Sequence, residues 1–472
     1  MEFAARKSFV VILITLNLIH PKFYSQKKYT LEECMALAVK NNVTLQQALL
    51  NVENARLNFV QSQAAPLPNL NAGFNHTYNY GKSIDRFTNT FANSSVLSQN
   101  IFLGSSLTLW SGFMQWHGIK AQQYFLNSQK ELAIQQEREL KLAVVTSFLN
   151  LLLTMELESV SEQQALVSKE QYERNKQLAE WGQISKSVEL EMRAQWANDK
   201  SVFISAQNNT KLAQLTLAQL VNEPNLFYIQ IAAPETVNVP EAPNFKTKPQ
   251  EAVLLQNGYK AMEWQVLGAE QNWQMNKGRQ SPAITANFAM GSGTSGLYKK
   301  YENMVLTGEE PIGYLKNGDL VYAPTFSFQN QSVVPFKDQI SDNLNRSVGI
   351  SASWAVFNGL QTQTAIKQAK INLMQARLNL ELKRQALIKE WVQAECNATG
   401  AFQKLMAAQE QEEASLEAFK LTEQKFAQGA AGVFEYNLQK TRYYIAKSSK
   451  LQARYEYAFR IKVLDFYNGA GF

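Results

Sequence analysis

Seven positions spaced by seven residues, Ile366, Leu373, Leu380, Leu387, Ala394, Ala401 and Ala408, carry apolar side chains without a miss. A strict sevenfold apolar period belongs to a helix that keeps one edge against a coiled partner. No proline falls between Gly359 and Gln428, so the pattern predicts one uninterrupted helix over that stretch. At 1.5 Å per residue it is roughly 100 Å long, several times the width of a small domain, which excludes a compact ball. The same ruler returns from Gly112 to about Leu178 at a constant offset of 247 positions: Ile119, Leu126, Ala133, Leu140, Ser147, Thr154 and Ser161. Large residues come first and small ones later in both stretches, so the chain carries a duplication.

Composition narrows the class. Charged residues make up 18% and hydrophobic ones 45%, a balance that fits burial against lipid or partners better than a solvated enzyme. The net charge of +6 forms no basic block, which argues against nucleic-acid binding. Arg6 and Lys7, the apolar run Ser8 to Ile19 and the small Ser25 have the layout of a secretory signal peptide over residues 1–25. Cys34 and Cys396, the only cysteines, have no nearby thiol or histidine and read as packing residues. No later stretch reaches the ~20 continuous apolar residues of a membrane helix. Any part that enters a bilayer must therefore be β-structure.

Thr30 and Glu33 form a capping box for a first helix that runs to Ala65, where Pro66 and Pro68 end it. The period then changes to two. Leu70, Ala72, Phe74, His76, Tyr78 and Tyr80 alternate with Asn71, Gly73, Asn75, Thr77 and Asn79, predicting a strand with one apolar face. Ile101, Leu103, Leu107 and Leu109 mark a second strand, Ile284, Ala286, Phe288 and Met290 a third, and Val348, Ile350, Ala352, Trp354 and Val356 a fourth. Each is about as long as a tilted strand needs to be to cross a bilayer, with aromatic residues near its ends. The candidate lipid-facing residues are Leu70, Phe74, Ile101, Leu103, Leu107, Leu109, Ile284, Phe288, Val348, Ile350, Trp354 and Val356. Four strands cannot close a barrel, so this reading also predicts an oligomer.

The long helices break at Trp181, Gly182 and Gln183 and at Gly429 to Gly432, and each is followed by a return helix. Pro224, Pro234, Pro240, Pro243 and Pro249 mark a linker over 223–249 between a first repeat, 26–222, and a second, 250–472. Helix Glu251 to Lys277 repeats the role of the first helix, and Tyr298 to Pro335 reads as a long loop between strands three and four. In each copy the order is helix, strand, loop, strand, long helix, tip, return helix.

Catalytic chemistry finds no support. His76 and His117 lie far apart in the pattern, which gives no basis for a histidine-based site or a metal centre. Gly291, Gly293 and Gly296 match a dinucleotide fingerprint in spacing, but no helix follows them. Glu435 lies six residues beyond Gly429. In a symmetric oligomer it becomes a ring of charge that selects cations, while as a lone acid in a first helical turn it is favourable for the helix dipole. Glu189 and Glu191 near the first tip are open to the same two readings.

Taken jointly, these features resemble the TolC family of outer-membrane efflux channels. They are the duplicated order, the Pro68 and Pro282 junctions, the Trp110-Ser111-Gly112 and Phe357-Asn358-Gly359 junctions, and the Gly182 and Gly429 tips. The resemblance implies an α+β fold: a long coiled-coil helical tunnel in the periplasm joined to a twelve-stranded transmembrane β-barrel shared by a homotrimer. It further implies an outer membrane location in a Gram-negative bacterium and no cofactor. A periplasmic adaptor would dock at the tips and link the channel to an inner-membrane transporter, with Trp181, Gly182, Gln183, Phe426, Gly429, Ala431 and Gly432 as candidate docking and gate residues. Family members place acids six and nine residues after the second tip glycine; here these are Glu435 and Leu438. The tyrosine and arginine that hold relatives closed are replaced by Phe426 and Ala431. A secreted coiled-coil adhesion or scaffold protein with a small β-head is the alternative.

Overall fold

The computed structural model describes residues 28–84, 89, 91–92, 95–222, 229–232, 242 and 248–470. The signal-peptide expectation over 1–25 and most of the proline-rich linker, with Pro224, Pro234, Pro240 and Pro243, lie outside the described residues. The first copy runs β1 (Lys28–Tyr29), α1 (Leu31–Asn41), α2 (Val43–Ala64), β2 (Asn71–Asn79), β3 (Ser83–Ile84), β4 (Phe91–Ala92), β5 (Val96–Trp110), α3 (Met114–Glu180) and α4 (Lys186–Val221). After β6 (Gln230–Ile231), the second copy runs α5 (Pro249–Leu255), α6 (Asn257–Gly278), β7 (Ala283–Ser295), β8 (Lys299–Tyr314), β9 (Leu320–Val333), α7 (Phe336–Asp342), β10 (Asn345–Ser353), α8 (Gln361–Ala427) and α9 (Val433–Tyr467). Two compact units result, each built from both copies: a β-rich unit of residues 55–126 and 265–376, and a helical unit from the remainder.

Both long helices are 67 residues. Their bounds differ by 247, as do the starts of α4 and α9. Every seam position predicted from the sevenfold period is buried or half-buried. The helix starts repeat as well. Gly112 and Phe113 take φ of +62° and +61°, and Gly359 and Leu360 take +63° and +65°, so each long helix follows two consecutive left-handed residues. The glycine makes the first of these steps inexpensive, and the bulky second residue pays the strain in both copies.

In the helical unit the core joins Leu140, Val144, Phe148 and Leu151 of α3 to Leu217 and Val221 of α4 and Cys34 and Ala38 of α1. A second cluster packs Trp391, Ala394 and Ala398 of α8 on Ala252 and Leu464. The α3 helix carries an 18-residue window apolar enough to cross a bilayer. Val144, Val145, Phe148, Leu151 and Leu152 direct that apolarity into the helical core instead.

In the β-rich unit four strands pair antiparallel in the order β10-β7-β5-β2. The register brings Phe74, Ile101, Leu103, Leu107, Ile284, Phe288, Val348 and Ile350 to one face, through pairs such as Phe74↔Ile101, Leu103↔Met290 and Val348↔Phe288. Asn71, Asn75, Ser106, Asn287 and Ser351 fall on the other. Leu109 sits at the register shift between Thr108 and Trp110, which takes it out of the ladder. Leu70, Trp354 and Val356 lie beyond the strand ends, and the Trp354 indole donates to the Gln280 carbonyl at 3.1 Å.

Two local expectations change, the single first helix of each copy and the long loop, while the glycine spacing again leads to no helix. Each copy's first helix is two helices: Asn42 ends α1 and its Oδ1 accepts from the Leu45 N–H at 3.1 Å, opening α2. Gln256 makes the matching break, its amide donating to the carbonyl of Tyr467 at 2.7 Å. Gly291 and Gly293 are strand residues of β7 and Gly296 lies in the turn that leads into strand β8, so the dinucleotide spacing opens no helix. The stretch read as a loop, Tyr298 to Pro335, is a hairpin of 16- and 14-residue strands.

Candidate functional site at the helix tips

The tips lie in the helical unit, where each long helix turns back into its return helix. Gly182 and Gly429 both adopt φ +74°, and a side chain at either would meet nothing within 4 Å. The backbone conformation, rather than space, therefore selects glycine. The N–H groups of Gly182 and Gln183 donate to the carbonyls of Ala179 and Leu178 at 3.1 and 2.9 Å. Those of Gly429 and Ala430 donate to Phe426 and Lys425 at 3.1 and 2.8 Å. Both are Schellman closures, each satisfying two of the orphan carbonyls in the last turn of its long helix.

The side chains at the two tips are organised differently. At the first, Trp181 is 68% exposed, and Glu189 is buried in an ion pair with Lys186. At the second, Glu435 is the third residue of α9, exposed and without a hydrogen-bond or ion-pair partner among the described residues. The Phe426 ring stacks on Tyr436 at 4.7 Å, and Tyr436 in turn meets Phe419 at 5.7 Å. Ala431 and Gly432 carry no group able to bridge helices, consistent with the absent guanidinium. Tyr436 is 1% exposed, and its hydroxyl finds no partner among the described residues. Burial pushes its pKa up to about 12.

Between α4 and α9 lies a groove of about 580 Å³ lined by Glu191, Gln195, Phe434, Asn437 and Leu438. Further along the same helices, Lys440 of α9 and Asp199 of α4 are buried at 1% and 0% exposure, with the ammonium 3.2 Å from Asp199 Oδ2. The hydroxyl of Ser168 in α3 accepts from Lys440 and donates to Asp199. Gln164 and Gln195 each donate to Asp199 Oδ1 at 2.9 Å. Burial lowers the pKa of Lys440, and the neighbouring carboxylate opposes that shift. An ion pair removed from water persists only when its remaining lone pairs are satisfied in this way.

Sequence reasoning passed over this cluster, although a signal was present. Ser168 continues the α3 seam one heptad beyond Ser161, and Asp199 lies seven residues after the buried Met192. Lys440 falls between buried Tyr436 and Tyr444 on one face of α9. A lysine and an aspartate on apolar seams, in different helices, are a pair in search of each other.

The tips, the repeated staves and the four-stranded sheet can be set against known proteins. Residues 35–223 and 325–468 match the outer membrane efflux protein family. Among solved structures, the chain is similar to the Campylobacter jejuni CmeC outer membrane channel, at TM-score 0.77 and 16% identity over 94% of this chain and 86% of that one. The Neisseria gonorrhoeae MtrE outer membrane channel, in its open state, aligns at TM-score 0.72 and 17% identity over 93% and 89%. The Vibrio cholerae outer membrane protein VceC aligns at 0.73 and 12% over 94% and 96%. No curated protein sequence matches. By the extent of the family match, the chain belongs to the outer membrane efflux protein family.

Proposed function

We propose that three copies of this chain form a passive exit duct whose entrance lies at the helix tips, with Glu435 repeated around it as a ring of negative charge. Membership of the family makes the chain an outer-membrane efflux channel with its helices in the periplasm, and not an enzyme. Family members are trimeric channels that work with adaptors and inner-membrane pumps. Three chains of four strands supply a twelve-stranded barrel, in which the open edges of β10 and β2 pair between neighbours. The face carrying Phe74, Phe288, Val348 and Ile350 turns to lipid. An adaptor docks around Trp181, Gly182, Gln183, Phe426, Gly429, Ala431 and Gly432 and couples the duct to a pump. Nothing favours the adhesion or scaffold reading.

The observation that carries the entrance reading is the freedom of Glu435. Its charge is not consumed by a neighbour, unlike that of Glu189 at the first tip. An unpaired carboxylate at a constriction acts on passing ions. Outer-membrane fractions are expected to hold a heat-resistant trimer that conducts ions in planar bilayers. Glu435→Gln is expected to shift the reversal potential in a salt gradient toward lower cation preference. An unchanged reversal potential would return Glu435 to a purely dipole-related role.

A further inference from the structure

We propose that the β8–β9 hairpin is an intersubunit surface, its apolar face packed against the same hairpin of neighbouring subunits to form a collar over the outer mouth. The proposal rests on the trimer reading above. The hairpin marks the point where the two copies stop matching. The offset between them is 214 from Pro68 to Pro282 and 247 from Gly112 to Gly359, so the second copy holds 33 additional residues between its barrel strands. The family match skips 224–324, which leaves all of β8 outside it.

The register assigns the faces. The pairs Met304↔Phe328, Leu306↔Phe326, Pro311↔Tyr322 and Tyr314↔Leu320 lie on one side, continuing toward the base as Glu302↔Asn330 and Lys300↔Ser332. Glu309↔Pro324 is the one charged pair within the apolar run, and the other side is mixed, setting Tyr301, Val305 and Val321 among Gly308, Glu310, Ala323, Thr325, Ser327 and Gln331. The apolar side is open: Met304 is 60% exposed, Leu306 58%, Tyr314 78% and Phe326 48%. A two-stranded sheet is marginal in water without a second layer on its apolar face, and an exposed patch of this kind marks an interaction surface.

Two features identify the occupant. The hairpin grows from the ends of β7 and β10 that lie away from the helices, and β10 is the sheet edge that pairs with the next subunit. Its root is therefore continuous with the subunit boundary on the extracellular side. Geometry supplies the second. Twelve strands about 4.8 Å apart and tilted about 40° close a barrel roughly 24 Å across. A 14-residue strand at about 3.3 Å per residue is roughly 46 Å long. Three hairpins twice as long as the barrel is wide are crowded around one mouth, and facing inward covers the apolar side of each. The base is fixed for this: buried Gln339 accepts from the Ser295 N–H at 2.8 Å and donates to the Val334 carbonyl at 2.8 Å.

The test uses the full chain in outer-membrane fractions, with Cys396→Ser removing the exposed native thiol. Phe326→Cys and Leu306→Cys report the apolar face, and Ser327→Cys the opposite one. A short bis-maleimide is expected to yield cross-linked dimer from the first two and only background from the third, with the heat-resistant trimer intact in all. Labelling of Phe326→Cys by a PEG-maleimide as complete as that of Ser327→Cys would mean an open face and overturn the proposal. Protection without cross-linking would assign the face to lipid or another protein and overturn it equally. Loss of the trimer in the Cys396→Ser parent would instead sink the oligomer reading on which it stands.

Discussion

In their long helices and tips, the two copies of the repeat agree in backbone and disagree in side-chain chemistry. Gly182 and Gly429 share φ +74° and the same closing hydrogen bonds, and the long helices start and stop 247 residues apart. Yet the positions matching Asp199 and Lys440 at that offset are Ala446 and Arg193, so the buried ion pair has no counterpart. A duplication thus preserved the geometry of the staves, and divergence inside it fastened α9 of the second copy to α3 and α4 of the first by a contact that is not returned. The lesson is one of division: backbone devices set where helices turn, while unmatched charges set which helices stay together.

The most severe way to break the comparison is Lys440→Met. It leaves Asp199 charged and buried without its cation, at an expected cost of about 3–5 kcal/mol, read as a lower urea midpoint of the detergent-solubilised protein. Adding Asp199→Leu is expected to recover most of the loss, whereas Arg193→Met, at the exposed matching position, is expected to do almost nothing. A Lys440→Met cost below about 1 kcal/mol would show that the pair is not desolvated.

Smaller, and designed to sharpen the backbone half, are Gly182→Ala and Gly429→Ala. With open space around both and φ in the left-handed region, each is expected to cost about 1 kcal/mol, and the two costs should agree. A clear difference in their unfolding midpoints would mean that the tips are not equivalent.

The smallest effect concerns Tyr436. Its pKa is raised to about 12 when folded and near 10 when unfolded, so between those values the unfolded chain has lost the proton that the folded chain keeps. Stability therefore falls as pH rises from about 10 toward about 12. The lowered pKa of Lys440 acts oppositely, adding stability as pH rises toward 10.5. Tyr436→Phe removes a buried hydroxyl with no partner among the described residues, so near pH 7 the urea midpoint should hold or rise slightly. The fall above pH 10 should shrink; an unchanged alkaline limb would assign that fall to other groups.

Much of the fold was legible because it is periodic. The sevenfold seam, the period-two strands and the tip glycines each repeat a local rule many times, and their repetition at one offset multiplied the signal. At Leu70, Trp354 and Val356 the sequence alternation runs past the point where strand pairing stops. The β8–β9 hairpin has the sequence of a loop because Gly308, Pro311, Gly313 and Pro324 interrupt its alternation, and its register shifts at Leu306/Gly308 and Pro311/Gly313 change the phase. At the candidate entrance, Glu435 and the turns could be read from position alone. The Lys440, Asp199 and Ser168 cluster could not, because Lys440 lies 241 and 272 residues from the other two and the three become informative only when three helices are seen to share one seam.

The Gln339 clasp has a consequence for how this channel can change over time. By closing the root of the hairpin with its own hydrogen bonds, it separates the pairing of β8 with β9 from that of β7 with β10. Residues beyond the clasp can be exchanged, lengthened or deleted without shifting the register of the barrel. The outer rim is thus a detachable cassette, where selection by agents outside the cell can act while the duct below is left intact.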